Sequence, residues 1–286
     1  MSAAHYEHDL VLGLPHTSHR FLSEHHLLQY AGHFQWNAIA QAAGMPLSAL
    51  RTTAGGEVYA SFYYIEERIP DAAPLESFRL DDTVRFSIDL RSFKNMTIEG
   101  RVTFDRPGSE RESPSILFAN IFITPEKGNS RLRVAPPAHA DFANLPRLPN
   151  EENPFQITRA AEESGSLGVL DESWQSAGSY EHRYAIDVDR DTNGAGLVYF
   201  ANYVAFMDTA ERLALRSLGI DAKNRSLRWR RIAYYGNADV DDTITVHVEV
   251  LRPSSGGTGA LACRYRITRD EDGLTICRSE AIKALA

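Results

Sequence analysis

The segment best suited to chemistry is a run of small residues that leads into a stretch with helical periodicity. It reads Asn193-Gly194-Ala195-Gly196-Leu197. Glycine and alanine let a ligand approach the backbone closely, and amides at the start of a helix lie at the positive end of its dipole. We therefore expect the backbone amides of Gly196 and Leu197, helped by the side-chain amide of Asn193, to stabilise negative charge on a bound oxygen.

Apolar periodicity predicts the same order of elements in each half of the chain: a strand, a helix, then several strands. A helix is expected over 23–43, with Ser23 as its cap and Gly44 and Pro46 ending it. A second helix is expected over about 198–218, ended by Gly219. The predicted strands cover residues 10–14, 57–67, 83–93, 96–104, 115–124, 180–188, 227–235, 243–251, 260–268 and 275–284.

A short sequence echo supports an internal repeat. Asp81-Asp82-Thr83-Val84 returns 160 positions later as Asp241-Asp242-Thr243-Ile244, and each copy opens a predicted strand. Between the halves, residues 135–154 contain five prolines, which is typical of an extended linker. A long helix followed by antiparallel strands buries its apolar stripe on one sheet face. The pattern predicts an α+β tandem, or double, hot dog: units over 1–134 and 155–286, each a long central helix wrapped by an antiparallel sheet.

The segment that runs from Asp191 to Arg212 resembles the loop and central-helix entry of hot dog acyl-CoA thioesterases. Two departures matter: Asn193 stands where that family has its catalytic aspartate, and Phe200 stands where some members have a histidine. A neutral amide can orient a thioester carbonyl and does not repel a substrate that carries its own carboxylate. The resemblance therefore favours decarboxylation or binding over hydrolysis.

Three segments of the first half resemble the bifunctional acyltransferase/decarboxylase family of the leinamycin polyketide pathway. They are Leu22-Ser23-Glu24-His25-His26-Leu27-Leu28, Gly32-His33-Phe34-Gln35-Trp36 and Val58-Tyr59-Ala60-Ser61-Phe62. The resemblance implies decarboxylation of methylmalonyl-CoA and transfer of the acyl group to a carrier protein, which yields a propionyl carrier protein. It implies no bound cofactor, because coenzyme A and the phosphopantetheine of the carrier protein arrive with the substrates. By the same resemblance Tyr59 is the candidate to receive the acyl group.

Further residues are expected to contact the substrate. His33 and Ser61 are candidates in the first half, and Gly194 and Ala195 are candidates at the small-residue turn. Arg228 and Arg230, within the basic run 225–231, could bind coenzyme A phosphates or an acidic carrier protein. Each has an ordinary alternative: Asn-Gly is a frequent turn pair, Tyr59 could be a packing residue, and charges on a strand edge prevent unwanted pairing.

Composition narrows the classes of partner. A net charge of −8 over 286 residues argues against general binding of nucleic acid. No apolar run reaches the length of a membrane span, and the first residues lack the pattern of a leader, so we expect a cytoplasmic protein. Cys263 and Cys277 lack metal-ligand spacing and are expected to be reduced core residues. Exposed strand edges would allow a homodimer.

Several functions stay open at this stage because the hot dog fold hosts many activities. A thioesterase is the nearest alternative, although Asn193 argues against it. A dehydratase usually requires a histidine with an acid, and neither half shows a convincing pair at the turn. A non-catalytic module that binds acyl thioesters is the third alternative. The preferred acyl group, the acylation of Tyr59 and the oligomeric state are also left open by the sequence.

Overall fold

The computed structural model of the chain describes residues 5–18, 21–94, 96–127, 131–138, 140, 142–220, 225–257 and 259–285. The backbone divides into two compact units, Met1–Gln156 and Ile157–Ala286. Part of the proline-rich segment packs on the first unit, since Phe142 is buried and stacks on Phe122. The Ser92 amide also donates to the carbonyl of Pro146. The boundaries at residues 134 and 155 stay a prediction.

The first unit contains one long helix, α1 (Glu24–Ala43). Its strands are β1 (His5–Val11), β2 (Thr17–Ser18), β3 (Phe21–Leu22), β4 (Tyr59–Arg68), β5 (Thr83–Phe93), β6 (Thr97–Asp105), β7 (Ser115–Lys127) and β8 (Arg131–Val134). The main sheet of this unit has the order β1-β5-β6-β7-β4, with β8 beside β7, while β2 and β3 form a separate hairpin. All of these pairings are antiparallel.

The second unit repeats this architecture after the short helix α2 (Phe155–Ser164). Its strands and helices are β9 (Trp174–Ala185), α3 (Val188–Asp191), α4 (Asn202–Ser217), β10 (Arg225–Tyr234), β11 (Thr243–Pro253), β12 (Ala260–Arg269) and β13 (Thr275–Leu285). The sheet order is β10-β13-β12-β11-β9, again antiparallel throughout. Helix α4 packs on β9 and β11, whereas α1 packs on β5 and β6 of its own unit.

The ends of α1 follow the signals in the sequence. Ser23 occupies the N-cap position with an extended backbone, although its side chain makes no capping hydrogen bond. Gly44 takes the left-handed conformation with φ 67° and donates its amide to the carbonyl of Gln41, and Pro46 follows. A residue with a Cβ is disfavoured in that conformation, which explains why a glycine ends this helix.

The repeated acidic segments fold into the same turn. Asp81 and Asp241 both have φ 68°. The next residue, Asp82 or Asp242, accepts a backbone hydrogen bond on its carboxylate from the residue three positions earlier, at 2.7 Å in both copies. Its carbonyl then receives an amide from the end of the first strand, that of Leu12 or Ile186, at 2.9 Å. The two halves therefore repeat this turn together with its hydrogen bonds.

Several element boundaries differ from the prediction. Helix α4 begins at Asn202, four residues later than expected, because Val198 forms an antiparallel bridge with Thr192 and is therefore extended rather than helical. Strand β9 begins at Trp174, six residues earlier than expected. Strand β1 ends at Val11, and Leu14, predicted as the last residue of that strand, begins the 3₁₀ turn Leu14–His16. Helices α2 and α3 and strand β8 were not predicted from the periodicity.

A polar network lies inside the first unit, where α1 crosses the sheet. Gln35 is fully buried, and its Nε2 donates to Asn120 Oδ1 at 2.6 Å. Asn120 Nδ2 and Trp36 Nε1 both donate to the carbonyl of Ala60, at 3.2 and 2.9 Å. Gly100 on β6 leaves the space that the Gln35 carboxamide fills. This network fixes α1 against the first residues of β4.

Replacing Gly100 with alanine should destabilise the first unit. The new Cβ would overlap the Gln35 carboxamide and lie 2.8 Å from its Nε2, and overpacking of this kind costs about 1 to 3 kcal/mol. We expect urea unfolding of Gly100→Ala to show that loss. Gly259→Ala is the control, because a Cβ there meets nothing within 4 Å, and its effect should stay within about 0.5 kcal/mol. Equal midpoints for the two variants would contradict the tight contact.

Candidate functional site

The small-residue turn of the second unit is held together by Asn193. Its side-chain Oδ1 accepts the amides of Ala195 at 2.9 Å and Leu197 at 3.2 Å. Its backbone carbonyl accepts the amide of Gly196, and its own amide donates to the carbonyl of Leu197, both at 2.8 Å. Gly196 has φ 72°, a conformation in which glycine has no steric penalty. The turn is thus closed by four hydrogen bonds that all involve Asn193.

This geometry corrects the predicted roles of two amides. Gly196 and Leu197 were expected to offer their N–H groups to a ligand oxygen, but both donate to Asn193 instead. Because two N–H groups meet one end of the carboxamide, that end is the oxygen, and the Nδ2 group is the opposite end. Within the described residues Nδ2 has no acceptor. The side chain of Asn193 is therefore a donor that this turn leaves for a ligand.

The other predicted turn residues differ in exposure. Gly194 is exposed, and a Cβ built there would touch nothing within 4 Å, so the chain itself leaves room on that side. Ala195 is half-buried, and its amide is used by Asn193. Any ligand at this turn would meet Gly194 and the Asn193 carboxamide before it met the amides of Ala195 and Leu197.

The carboxylate nearest in sequence to the turn is structural. Asp191 is buried, and its Oδ2 accepts the Tyr184 hydroxyl at 3.0 Å and the Asp187 amide at 2.9 Å. Arg190 Nε lies 3.3 Å from its other oxygen. Burial, followed by the hydrogen bond to Asp191, raises the pKa of Tyr184 to about 12. Asp191 therefore stabilises the loop. Its carboxylate is already bonded and does not stand in for the aspartate that thioesterases have at position 193.

In the first unit, Tyr59 lies at the first position of β4 and is partly exposed. Its hydroxyl donates to Glu57 Oε2 at 2.6 Å. The hydrogen bond to Glu57, then burial, then the charge of Glu57 raise the pKa of Tyr59, while the charge of Arg51 opposes them. Tyr59 is therefore a neutral phenol at neutral pH. A phenolate formed in advance, which acyl transfer by a lone tyrosine would need, is disfavoured here.

Ser61 lies on strand β4 and His33 lies on helix α1, and their side chains are not on the same surface of this unit. Side chains two positions apart on a strand share a face, so Ser61 lies beside Tyr59 on β4. Phe62 points to the other face, where its ring lies 5.2 Å from that of Trp36 on α1. His33 is exposed on α1 and has a ring nitrogen 3.2 Å from Asn37 Nδ2. The alternation of β4 therefore joins Ser61 with Tyr59 and separates both from α1.

The two arginines that were predicted to bind phosphate instead form hydrogen bonds or ion pairs within the protein. Arg228 Nη1 donates to Ser226 Oγ at 2.6 Å and to the carbonyl of Leu227 at 3.1 Å. Arg230 is fully buried, with Nη2 3.5 Å from Asp208 Oδ1. A fully buried guanidinium offers no surface to a phosphate, so this placement corrects the expected role of Arg230.

Arg230 belongs to a buried ion cluster between α4 and its sheet, which we call the α4 cluster. It consists of Asp208, Glu211, Arg225, Arg230, Tyr265 and Lys283. Lys283 Nζ lies 3.1 Å from Asp208 Oδ1 and 2.8 Å from Glu211 Oε2. Arg225 Nε lies 2.9 Å from Glu211 Oε1. Burial alone would raise the pKa of Asp208, but the charges of Lys283, Arg230 and Arg225 outweigh it and lower the pKa to about 2.

The cysteines are placed as the sequence predicted. Cys263 and Cys277 are both reduced and fully buried, and burial raises the pKa of each thiol far above its usual value. Within the described part of the chain, no group of three or more His, Cys, Asp and Glu side chains is arranged to hold a metal ion.

A groove of about 700 Å³ opens on the first unit, beside the β2–β3 hairpin. Its described lining is apolar apart from one hydroxyl and one guanidinium, and consists of Leu14, Thr17, Phe21, Arg79 and Leu80. Its size falls within the range of small-molecule pockets. None of the residues predicted from the sequence to bind substrate is part of this described lining.

Sequence reasoning missed Glu57 and the carboxamide pair Gln35–Asn120. Glu57 carried a usable signal, because it stands two positions before Tyr59 and residues two apart on a strand share a face. The carboxamide pair carried none, since its two residues are 85 positions apart and meet only after α1 packs on the sheet.

The chain matches known proteins in structure but not in sequence. Neither a protein-family model nor a curated protein sequence matches the chain. A solved structure described as an oleoyl thioesterase from Lactobacillus plantarum matches at 12% identity with a TM-score of 0.70, covering 99% of this chain and 97% of that one. A 12:0-ACP thioesterase from Umbellularia californica matches at 12% identity with a TM-score of 0.65, covering 99% and 95%.

A third structure is an acyl-ACP thioesterase from Bacteroides thetaiotaomicron, at 11% identity and a TM-score of 0.63, covering 98% of both chains. At these identities the likeness establishes the fold. The chain has the double hot dog fold of these thioesterases, as the repeat in its sequence predicted. No helix among the described residues combines the length and the apolar character needed to cross a membrane.

Removing the central cation of the α4 cluster should destabilise the second unit. Lys283→Met leaves the buried carboxylate of Glu211 and the half-buried carboxylate of Asp208 short of a partner, and breaking a buried pair costs about 3 to 5 kcal/mol. Urea unfolding at pH 7 would measure this loss. In the wild type the contribution of Asp208 is fully present above pH 3.8 and is lost as the pH falls toward about 2. In Lys283→Met the pKa of folded Asp208 should rise toward its usual value, so this contribution should be smaller and should be fully lost at a higher pH than in the wild type.

The control is Arg183→Met, because Arg183 pairs with Asp270 at the surface with 73% of its side chain exposed. Its effect should stay below about 1 kcal/mol. If Lys283→Met cost no more than this control, the α4 cluster would not contribute to stability.

Proposed function

We propose that this protein is an acyltransferase/decarboxylase that acts on malonyl-type coenzyme A thioesters. Methylmalonyl-CoA is the substrate to test first, and the product is a propionyl group on an acyl carrier protein. The observation that carries the proposal is the hydrogen-bond pattern of Asn193, whose oxygen closes the turn while its Nδ2 group is left as a donor.

The chemistry of decarboxylation matches such a donor. Loss of carbon dioxide from a malonyl thioester leaves an enolate, so the site must stabilise negative charge on the thioester oxygen. A carboxamide N–H can do so, whereas a carboxylate would repel both the enolate and the substrate carboxylate. Asp191, the acid nearest the turn in sequence, is already bonded to Tyr184 and Asp187. The turn therefore supports charge stabilisation better than activation of a water molecule.

Transfer to a carrier protein needs a group that holds the acyl chain between two thiols. Tyr59 is the candidate from the resemblance of the first half, and its partly exposed hydroxyl is accessible at the start of β4. Ser61, on the same face of the strand, is a candidate to contact the acyl group. The resemblance and the local exposure together support Tyr59 as the acyl acceptor.

An acyl-carrier-protein or acyl-CoA thioesterase is the second candidate. The observation that favours it is the full-length likeness to thioesterases whose described substrates are oleoyl, 12:0-ACP and acyl-ACP thioesters. The absence of an acid at position 193 argues against it, because hydrolysis needs a base for water. A module that binds acyl thioesters without turnover is a third outcome, in which tight binding would occur with no product.

Incubation with methylmalonyl-CoA and a phosphopantetheinylated carrier protein tests these functions together. We expect intact-mass spectrometry to show propionyl carrier protein, with release of carbon dioxide and free coenzyme A. Free acid with an unloaded carrier would identify a thioesterase instead. Binding of the thioester with neither product, across several carrier proteins, would exclude both enzymes and support a binding module.

The substitution Asn193→Asp tests the N–H group of the carboxamide independently of its oxygen. The aspartate keeps an oxygen for the amides of Ala195 and Leu197, so the turn should persist, but it loses the N–H donor and adds a negative charge. Loss of one such donor costs about 2.7 to 4 kcal/mol of barrier, so decarboxylation should fall about 100- to 1,000-fold. Asn150→Asp, in an exposed 3₁₀ turn, is the matched charge control. Full activity in Asn193→Asp would refute the role of the donor.

A further inference from the structure

Glu57, which accepts the hydrogen bond of the Tyr59 hydroxyl, is held in position by local backbone structure. Glu57 precedes β4 and is held by a short hairpin: its backbone bridges to Arg51, and the Thr52 amide donates to the carbonyl of Gly56 at 2.8 Å. The neighbouring Val58 amide donates to Leu50. These bonds fix the backbone of Glu57, so its carboxylate is presented to the Tyr59 hydroxyl at 2.6 Å by local structure alone.

Three other tyrosine–carboxylate pairs within the described residues give a comparison. They are Tyr64–Glu66, Tyr184–Asp191 and Tyr265–Glu211. In each of them the carboxylate also contacts a cation: Arg68, Arg190 or Lys283, respectively. Within the described residues Glu57 forms no ion pair, and it is exposed. A carboxylate outside an ion pair keeps more of its basicity, so Glu57 is better suited than the other three to accept a proton from its tyrosine.

We propose that Glu57 is the general base that activates Tyr59 for acyl transfer. This inference deepens the proposed function and rests on it for the identity of the substrate. Tyr59 lacks the lowered pKa that would make it a phenolate in advance, so its proton must leave as the hydroxyl attacks. An adjacent base solves the same problem for serine and threonine nucleophiles.

The transfer balances with one proton moving between two residues. Tyr59 Oη attacks the thioester carbonyl carbon as its proton passes to Glu57, the carbon–sulfur bond breaks, and coenzyme A leaves as a thiol with that proton. In the second half, the carrier thiol gives its proton to Glu57 and its sulfur attacks the tyrosyl ester. The carbon–oxygen bond then breaks, and Tyr59 recovers its proton. Loss of carbon dioxide breaks a separate carbon–carbon bond, and the enolate takes its proton from water.

The test uses full-length protein and 4-nitrophenyl propionate, an activated ester that does not depend on decarboxylation. We expect wild type to release one equivalent of nitrophenol rapidly and to carry a propionyl group on Tyr59, located by peptide mass spectrometry. Glu57→Gln should acylate about 100- to 10,000-fold more slowly at pH 7. Its rate should rise about tenfold per pH unit toward pH 9, because hydroxide then removes the proton of a phenol that stays largely un-ionised over this range.

Glu66→Gln is the matched control, since it removes the carboxylate of the other tyrosine–glutamate pair with the same spacing on β4. It should acylate like wild type, and Tyr59→Phe should not be labelled. Wild-type acylation by Glu57→Gln, or a propionyl group at another residue, would overturn the inference. Labelling of Tyr59 without loading of any carrier protein by methylmalonyl-CoA would overturn the proposed function and leave the role of Glu57 intact.

Discussion

A single carboxamide, that of Asn193, performs two tasks that few side chains can combine. Its oxygen accepts two backbone amides and so closes the turn before α4. Its nitrogen is the opposite pole of the same group and is available as a donor. An aspartate could close the turn equally well but would have no hydrogen to offer, and a leucine could do neither. The chemical character of this loop therefore depends on one atom, the nitrogen that distinguishes asparagine from aspartate.

The two halves share a scaffold and differ in what they add to it. Both contain the same left-handed aspartate turn, with matching distances to the end of their first strand. The first half adds a phenol with a carboxylate at the start of β4, and the second adds the Asn193 turn. In the second half the interior also carries the α4 cluster, where the first half has the neutral carboxamides Gln35 and Asn120. The repeated backbone thus hosts different interiors.

The sequence predicted the repeat and most elements because those depend on local signals. Gly44 and Pro46 ended α1, and the Asp81 and Asp241 segments opened strands in both halves. The start of α4 was misplaced because Val198 pairs with Thr192 in a bridge that no local periodicity reveals. The hydrogen bonds that the amides of Gly196 and Leu197 make to Asn193 were also not predicted. The choice between the amides of Gly196 and Leu197 and the carboxamide of Asn193 depends on which atoms bond within the loop, and only coordinates show it.

The placement of Cys263 and Cys277 has a consequence for any chemistry with thioesters. Thiols exchange readily with acyl thioesters when they are accessible and ionised, and these two are neither. The native chain therefore offers no sulfur that could divert an acyl group by side reaction. A label transferred from a thioester to the folded protein would have to sit on oxygen or nitrogen. Hydroxylamine would tell these two apart, because it cleaves an aryl ester at a tyrosine and leaves an amide at a lysine intact.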